Sequence, residues 1–197
     1  MKLPNAPKKS LGQNFLTDRN IIIKIVNIGS ISKEDTVLEI GPGYGSLTKE
    51  IIKHNPKKIF AVEKDKKVTQ YIKNDLINFK DIEIINEDIL KLISKNNFGN
   101  NVIIFGNLPY NISSQVLASL ILLEKWPPWY KKIILMFQEE LANRIIAKHK
   151  TKEYGRLSIL ANWRLEIKKH FNVSKNCFYP SPKISSTVLS FEPKKYK

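Results

Sequence analysis

The apolar positions along this chain change period repeatedly. Short runs rich in β-branched residues alternate with longer stretches in which apolar residues recur every three or four positions. The first kind of run fits strands and the second fits amphipathic helices. Thr36-Val37-Leu38-Glu39-Ile40 reads as the first clear strand. Lys58–Glu63, Ile82–Ile85, Val102–Gly106 and Lys132–Phe137 follow it. Leu165–Val173 alternates weakly and Ile184–Phe191 alternates well, which completes a set of seven strands. Helices are predicted between them. Asp18 is placed to cap one through Asn20–Val26, ended near Gly29, and Ser46 to cap another through Leu47–Lys53, stopped by His54-Asn55-Pro56. Lys66–Leu76 carries Val68, Tyr71, Ile72 and Leu76 on one face, and a short helix is expected to run to Ile93. The spacing then predicts helices over 113–124, broken by Trp126-Pro127-Pro128-Trp129, over 139–149, and through Trp163.

Alternating strands and helices imply an α/β fold: a mostly parallel, seven-stranded sheet with right-handed crossovers. The last two strands lie close together in sequence and suggest an added antiparallel strand near the C-terminus. One domain over residues 18–193 is expected, with an N-terminal segment, 1–17, before it and a loose basic tail, 194–197, after it.

Charge adds a partner to this picture. A net charge of +15 points to a polyanion, with nucleic acid ahead of an anionic membrane surface. A general richness in Lys, Asn and Ile is the plain alternative source of that charge. No apolar run approaches the roughly 20 residues that span a bilayer, and the N-terminus lacks the apolar core of a secretory signal. Cys177 is the single cysteine, so no disulfide framework is expected and a reducing, cytoplasmic compartment is the default. His54, His149 and His170 are scattered and Cys177 has no partner at ligand spacing, so no metal is expected.

Two constellations carry chemistry. Gly41-x-Gly43-x-Gly45 sits between a strand and a helix, where a missing Cβ lets a ligand approach the backbone. The spacing is one residue shorter than the dinucleotide pattern G-x-G-x-x-G, which weakens the case for a pyrophosphate. Glu63 ends the next strand, about 20 residues on, in place to accept hydrogen bonds from a ribose diol. Asp88, after the third strand, is placed to accept from an adenine amine. A ribose and an adenine without a pyrophosphate describe S-adenosylmethionine. The plain readings are an ordinary tight turn and two solvated loop carboxylates; the joint placement at consecutive strand ends favours the cofactor.

The second constellation is Asn107-Leu108-Pro109-Tyr110, at the end of the apolar run 102–106. An aromatic amine is a poor nucleophile because its lone pair is delocalised. Two acceptors on its N–H bonds pull the nitrogen toward tetrahedral geometry as charge develops. The Asn107 side-chain oxygen and the Leu108 carbonyl suit that role, Pro109 fixes the turn, and the Tyr110 ring can stack on a base. Taken alone, these four residues also fit a Pro-containing strand end with a packed Tyr.

Six blocks resemble, in order, the ribosomal RNA adenine dimethyltransferases that modify two adjacent adenines near the 3′ end of small-subunit RNA. They are Leu11-Gly-Gln-Asn-Phe-Leu16, Leu38-Glu-Ile-Gly-Pro-Gly43, Val62-Glu-Lys-Asp65, Phe105-Gly-Asn-Leu-Pro-Tyr-Asn-Ile-Ser113, Tyr154-Gly-Arg-Leu-Ser158 and Phe178-Tyr-Pro-Ser-Pro-Lys183. The resemblance implies a Rossmann-like class I methyltransferase fold and a monomer acting on small-subunit rRNA within a pre-ribosomal particle. It implies that Asn14 and Leu16 bind the methionine part of S-adenosylmethionine, that Gly41, Gly43, Glu63, Asp88 and Asn107 complete that site, and that residues 1–17 close over it. It implies that Phe178 stacks on the target base opposite Tyr110. Lys8, Lys9, Arg19 and Arg156 are candidate RNA contacts or plain solvated cations, and the role of the Tyr154–Ser158 block is open. Two departures stand out. Ser185 replaces a usual Asp, which removes one side-chain hydrogen bond of that turn. The family's small C-terminal helical domain has no counterpart in the 197 residues. Three other readings stay open: a large-subunit adenine methyltransferase of the antibiotic-resistance type, a non-catalytic ribosome-assembly or nucleic-acid-binding relative, and a DNA adenine methyltransferase.

Overall fold

The computed structural model describes residues 12–95 and 98–195, and only the backbone of Tyr110 and Asn111. The chain runs β1 (Phe15–Leu16), α1 (Arg19–Ile28), β2 (Thr36–Ile40), α2 (Ser46–Ile52), β3 (Lys58–Glu63), α3 (Lys66–Asp75), β4 (Ile82–Asn86), α4 (Ile89–Leu92) and β5 (Val102–Gly106). It continues through α5 (Tyr110–Ile121), β6 (Tyr130–Gln138), α6 (Glu139–Ile146), α7 (Arg156–Arg164), β7 (Leu165–Val173), β8 (Phe178–Tyr179) and β9 (Ser186–Pro193).

The main sheet has seven strands in the order β4-β3-β2-β5-β6-β9-β7. From β4 to β6 all neighbours are parallel, and β9 pairs antiparallel with both β6 and β7. The expected antiparallel strand is therefore β9, wedged between β6 and β7. All five residues of β5 are buried, as a central parallel strand covered on both faces requires. Ile103 and Phe105 face α1 and α2, with Ile25, Val26 and Ile51. Val102 and Ile104 face the other layer, with Leu117, Leu120 and Ile121 of α5. The chain leaves β2 toward β3 and β4, then returns to place β5 on the other side of β2. That reversal opens a crevice at the carboxyl ends of β2 and β5, where open α/β sheets bind ligands.

Several local expectations shift. The helix expected over 113–124 begins at Tyr110, because Pro109, at φ −52° and ψ 135°, occupies the cap position. Ser46 is the first residue of α2, and Gly45 holds its cap position, so the expected serine cap does not form. Asp18 does cap α1 through its carboxylate. The helix expected over 139–149 ends at Ile146, since Ala147 turns to an extended ψ of 139°. The weak alternation of Leu165–Val173 has a cause: the β7·β9 register shifts between Lys169 and Phe171, a bulge at His170. The basic tail is tied at its start. The Lys194 N–H donates to the Arg164 carbonyl at 2.8 Å, and its own carbonyl accepts from Trp126 Nε1 at 3.1 Å.

One element had no local signal. β1 pairs antiparallel with β8, Phe15 opposite Tyr179 and Leu16 opposite Phe178. It makes a two-stranded ribbon that carries the N-terminal strap to the crevice.

Candidate methyl-transfer site

The crevice holds a cavity of about 170 Å³ walled by the loops after β2, β3, β4 and β5 and by the strap. Asn14, Leu16, Gly41, Gly43, Glu63, Asp88, Asn107, Leu108 and Pro109 all line it. The stacking expected of Tyr110 concerns a side chain outside the described residues, as do Lys8 and Lys9. Arg19 and Arg156 are exposed.

Phe178 is 5% exposed, packed in the core with Leu16, Val173 and Val188, and lies outside the lining of this cavity. In β8 successive side chains take opposite faces, so Phe178 points into the core and Tyr179, 54% exposed, points out.

The glycine turn works by the absence of a side chain. Gly43 has φ +56°, and a Cβ there would lie 2.8 Å from Phe15 Cδ1. The Phe15 ring thus covers the turn and stands 4.7 Å from the Tyr44 ring. Glu63 ends β3 with its Oε1 accepting from the Asp65 N–H at 2.8 Å. Burial raises its carboxyl above the ordinary carboxylate range, opposed by the N–H groups of Asp65 and Gly43. Asp88 caps α4, accepting from the Leu90 N–H at 3.0 Å, and its other oxygen is 2.9 Å from Lys64 Nζ. The Lys64 hydrogen bond holds the Asp88 carboxyl below its ordinary value despite partial burial. Asn107 Nδ2 donates to the Asn14 carbonyl at 3.0 Å.

Sequence reading missed Gln13, Phe15, Tyr44 and Lys64 in the wall, and Glu39 beneath it. The signal for Gln13, Phe15, Glu39 and Lys64 was their position inside matched blocks, and Tyr44 stands one residue beyond one. Glu39 is 2% exposed and accepts a 2.6 Å hydrogen bond from the Thr48 hydroxyl. The Tyr154–Ser158 block gains a structural role. Ser158 Oγ accepts from the Gly155 N–H at 3.2 Å and donates to the Arg144 carbonyl at 2.6 Å, locking the start of α7 to α6. At the Ser185 departure the turn is held by backbone, with Glu139 N–H donating to the Ser185 carbonyl at 3.2 Å. Among the described residues no group of three His, Cys, Asp or Glu is arranged to hold a metal ion, and no helix is long and apolar enough to cross a membrane.

Two carboxylates at consecutive strand ends and a glycine-rich turn, all lining one cavity, fit S-adenosylmethionine. The fold and crevice define a class I, S-adenosylmethionine-dependent methyltransferase. The chain belongs to the ribosomal RNA adenine dimethylase family, whose model matches residues 5–197. It is 46% identical to ribosomal RNA small subunit methyltransferase A of Pelagibacter ubique, over 95% of this chain and 70% of that protein. It is 43% identical to the same-named protein of Malacoplasma penetrans, over 95% of this chain and 66% of that one. The chain thus spans about two thirds of these relatives' length. A dimethyladenosine transferase from Plasmodium falciparum superposes with a TM-score of 0.81 at 30% identity, over 91% of this chain and 63% of its own. The 23S rRNA methyltransferase ErmE does so with 0.76 at 26% identity, over 91% and 70%.

Proposed function

We propose that this protein, as a monomer, dimethylates N6 of two adjacent adenines near the 3′ end of small-subunit rRNA within a pre-ribosomal particle. The observation that carries the reading is that Asn107-Leu108-Pro109, at the end of β5, line the same cavity as Gly41, Glu63 and Asp88. Residues 12–17 form the strap of the larger N-terminal segment, and 18–193 form the methyltransferase domain. Relatives named small subunit methyltransferase A support the choice of substrate.

When bound, S-adenosylmethionine supplies an electrophilic methyl group on a sulfonium. Glu63 would accept from its ribose hydroxyls, Asp88 from its adenine amine, and Asn14 and Leu16 would border its methionine part. Asn107 Oδ1 and the Leu108 carbonyl accept the two N–H bonds of the target amine. They would draw the lone pair out of conjugation and stabilise the positive charge developing on that nitrogen. No strong base is needed beforehand, because the methylated nitrogen is acidic and its proton leaves afterwards.

Methyl transfer to undermethylated small-subunit particles, followed by mapping of the modified nucleotides, tests the reading. Cofactor binding without modification of those adenines overturns it. The likeness to ErmE keeps a large-subunit adenine as the second reading, and methyl groups mapped to large-subunit RNA would establish it.

Two further outcomes are expected. Glu63→Ala weakens S-adenosylmethionine binding about ten- to a hundredfold, the worth of hydrogen bonds to a charged group. Wild-type affinity also falls on acidification, as the raised Glu63 carboxyl takes up its proton. Calorimetry at neutral and mildly acidic pH reads both, and an unchanged Glu63→Ala affinity sinks the assignment. The net charge of +15 predicts RNA binding that weakens steeply with salt. A filter-binding series flat from low to moderate salt contradicts that.

A further inference from the structure

We infer that Asn107 uses the two ends of its amide for two linked jobs: Nδ2 latches the N-terminal strap, and that latch turns Oδ1 toward the acceptor amine, so strap closure and acceptor competence are one event. The inference rests on the methyl-transfer reading above and specifies how its acceptor is set.

Asn107 Nδ2 lies 3.0 Å from the Asn14 carbonyl. A carbonyl oxygen only accepts, so the NH2 end must face the strap, and the orientation of the amide is settled by chemistry. Oδ1 then points along the opposite branch, away from Asn14. The backbone beneath offers little freedom, because β5 is buried throughout and Leu108 is 3% exposed. What remains to be set is the Asn107 side chain, and the strap sets it.

The strap is itself held at both ends. On one side Leu16 pairs with Phe178, and the Thr17 N–H donates to the Cys177 carbonyl at 2.8 Å. On the other, Gln13 Nε2 donates to Asp65 Oδ2 at 3.2 Å, while Phe15 lies over Gly43. The segment from Gln13 to Thr17 therefore spans the cofactor crevice, with Asn107 fastened at its middle. An aspartate at position 107 would keep an acceptor oxygen but lose the donor, and its charge would face the Asn14 carbonyl.

Two measurements on the full chain test this. Amide hydrogen exchange over residues 12–17, without cofactor, reads the latch. Single-turnover methyl transfer to small-subunit particles at saturating S-adenosylmethionine reads the acceptor. Asn107→Asp is expected to speed strap exchange about tenfold and to slow transfer at least about tenfold, the scale of one lost hydrogen bond made worse by repulsion. Gln13→Ala cuts the other anchor and touches no reacting atom. It is expected to speed strap exchange and lower the transfer rate by a smaller factor, with RNA affinity unchanged. Strap protection in Asn107→Asp equal to wild type overturns the inference, whatever the rate. So does a Gln13→Ala protein with fast strap exchange and a wild-type rate. A wild-type protein that transfers no methyl group to these particles defeats the functional reading and the acceptor half with it. An active wild type with an unmoved strap in Asn107→Asp defeats this inference alone.

Discussion

Asn107→Ala is expected to slow methyl transfer by ~10²–10³-fold at saturating cofactor and RNA, the usual cost of removing one group that stabilises developing charge. The loss falls on the chemical step. The target amine keeps the Leu108 carbonyl as one acceptor, which leaves a residual rate, but its second N–H is no longer drawn out of the base plane. RNA affinity is expected to stay near wild type, because phosphate contacts spread over a strongly basic surface supply most of it. Single-turnover kinetics separate the two effects. A rate within about tenfold of wild type would show that the acceptor lies elsewhere.

A second large effect is expected in stability, and it centres on Glu39. Burial pushes this carboxyl from an ordinary 4.5 up to about 7; the Thr48 hydroxyl and N–H oppose the rise, and the nearby Glu63 charge adds to it. The folded protein therefore holds the proton more tightly than the unfolded chain does. The contribution of Glu39 is fully present below pH 4.5 and is lost as the pH rises through about 7. The span corresponds to about 3 kcal/mol. Glu39→Gln keeps the shape and an acceptor for Thr48 but cannot ionise. Its stability relative to wild type is expected to be flat below about pH 4.5, to climb by about 3 kcal/mol between there and about pH 7, and to level off above. Asp35 and Asp88, whose carboxyls are lowered, lose stability in the opposite direction on acidification. Both proteins carry them, so they cancel in the comparison. Urea unfolding of the two proteins from about pH 4 to about pH 8 provides the measurement. A difference independent of pH would mean that Glu39 ionises as freely in the folded state as in the unfolded chain.

Legibility followed burial and locality. β2, β3, β5 and β6 were readable because parallel strands covered on both faces are unbroken apolar runs, and no helix surface requires such a run. Glu63 and Asp88 were readable as candidate site residues because strand ends are marked by an abrupt change from apolar to acidic. Both line the cavity. The start of α5 was misplaced by three residues because Pro109 ends the loop and caps the helix at once, and Ser113, a natural cap by composition, is fully buried inside it. The facing of Phe178 depends on its pairing with Leu16, which no local pattern reports. The bulge at His170 broke the period of β7. Without the bulge, Phe171 and Val173 would face away from the core residues they now meet.

By itself, the order of residues determined the alternating elements, the mostly parallel sheet, the glycine turn, the two strand-end carboxylates and the Asn107–Tyr110 loop. These follow from local sterics and from the period of apolar positions, which neighbours in the chain share. The tertiary structure alone decided the order of strands across the sheet and the β1–β8 ribbon. It also decided the buried Glu39 and the hydrogen bond from Asn107 to Asn14. The ribbon and the Asn107–Asn14 hydrogen bond join groups distant in sequence, 164 residues apart for Phe15 and Tyr179 and 93 for Asn107 and Asn14. Contacts of that range arise from which surfaces are left to bury once the local elements exist. The loop after β5 is therefore legible as candidate chemistry in the sequence, and only the folded chain brings the Asn14 carbonyl against Asn107.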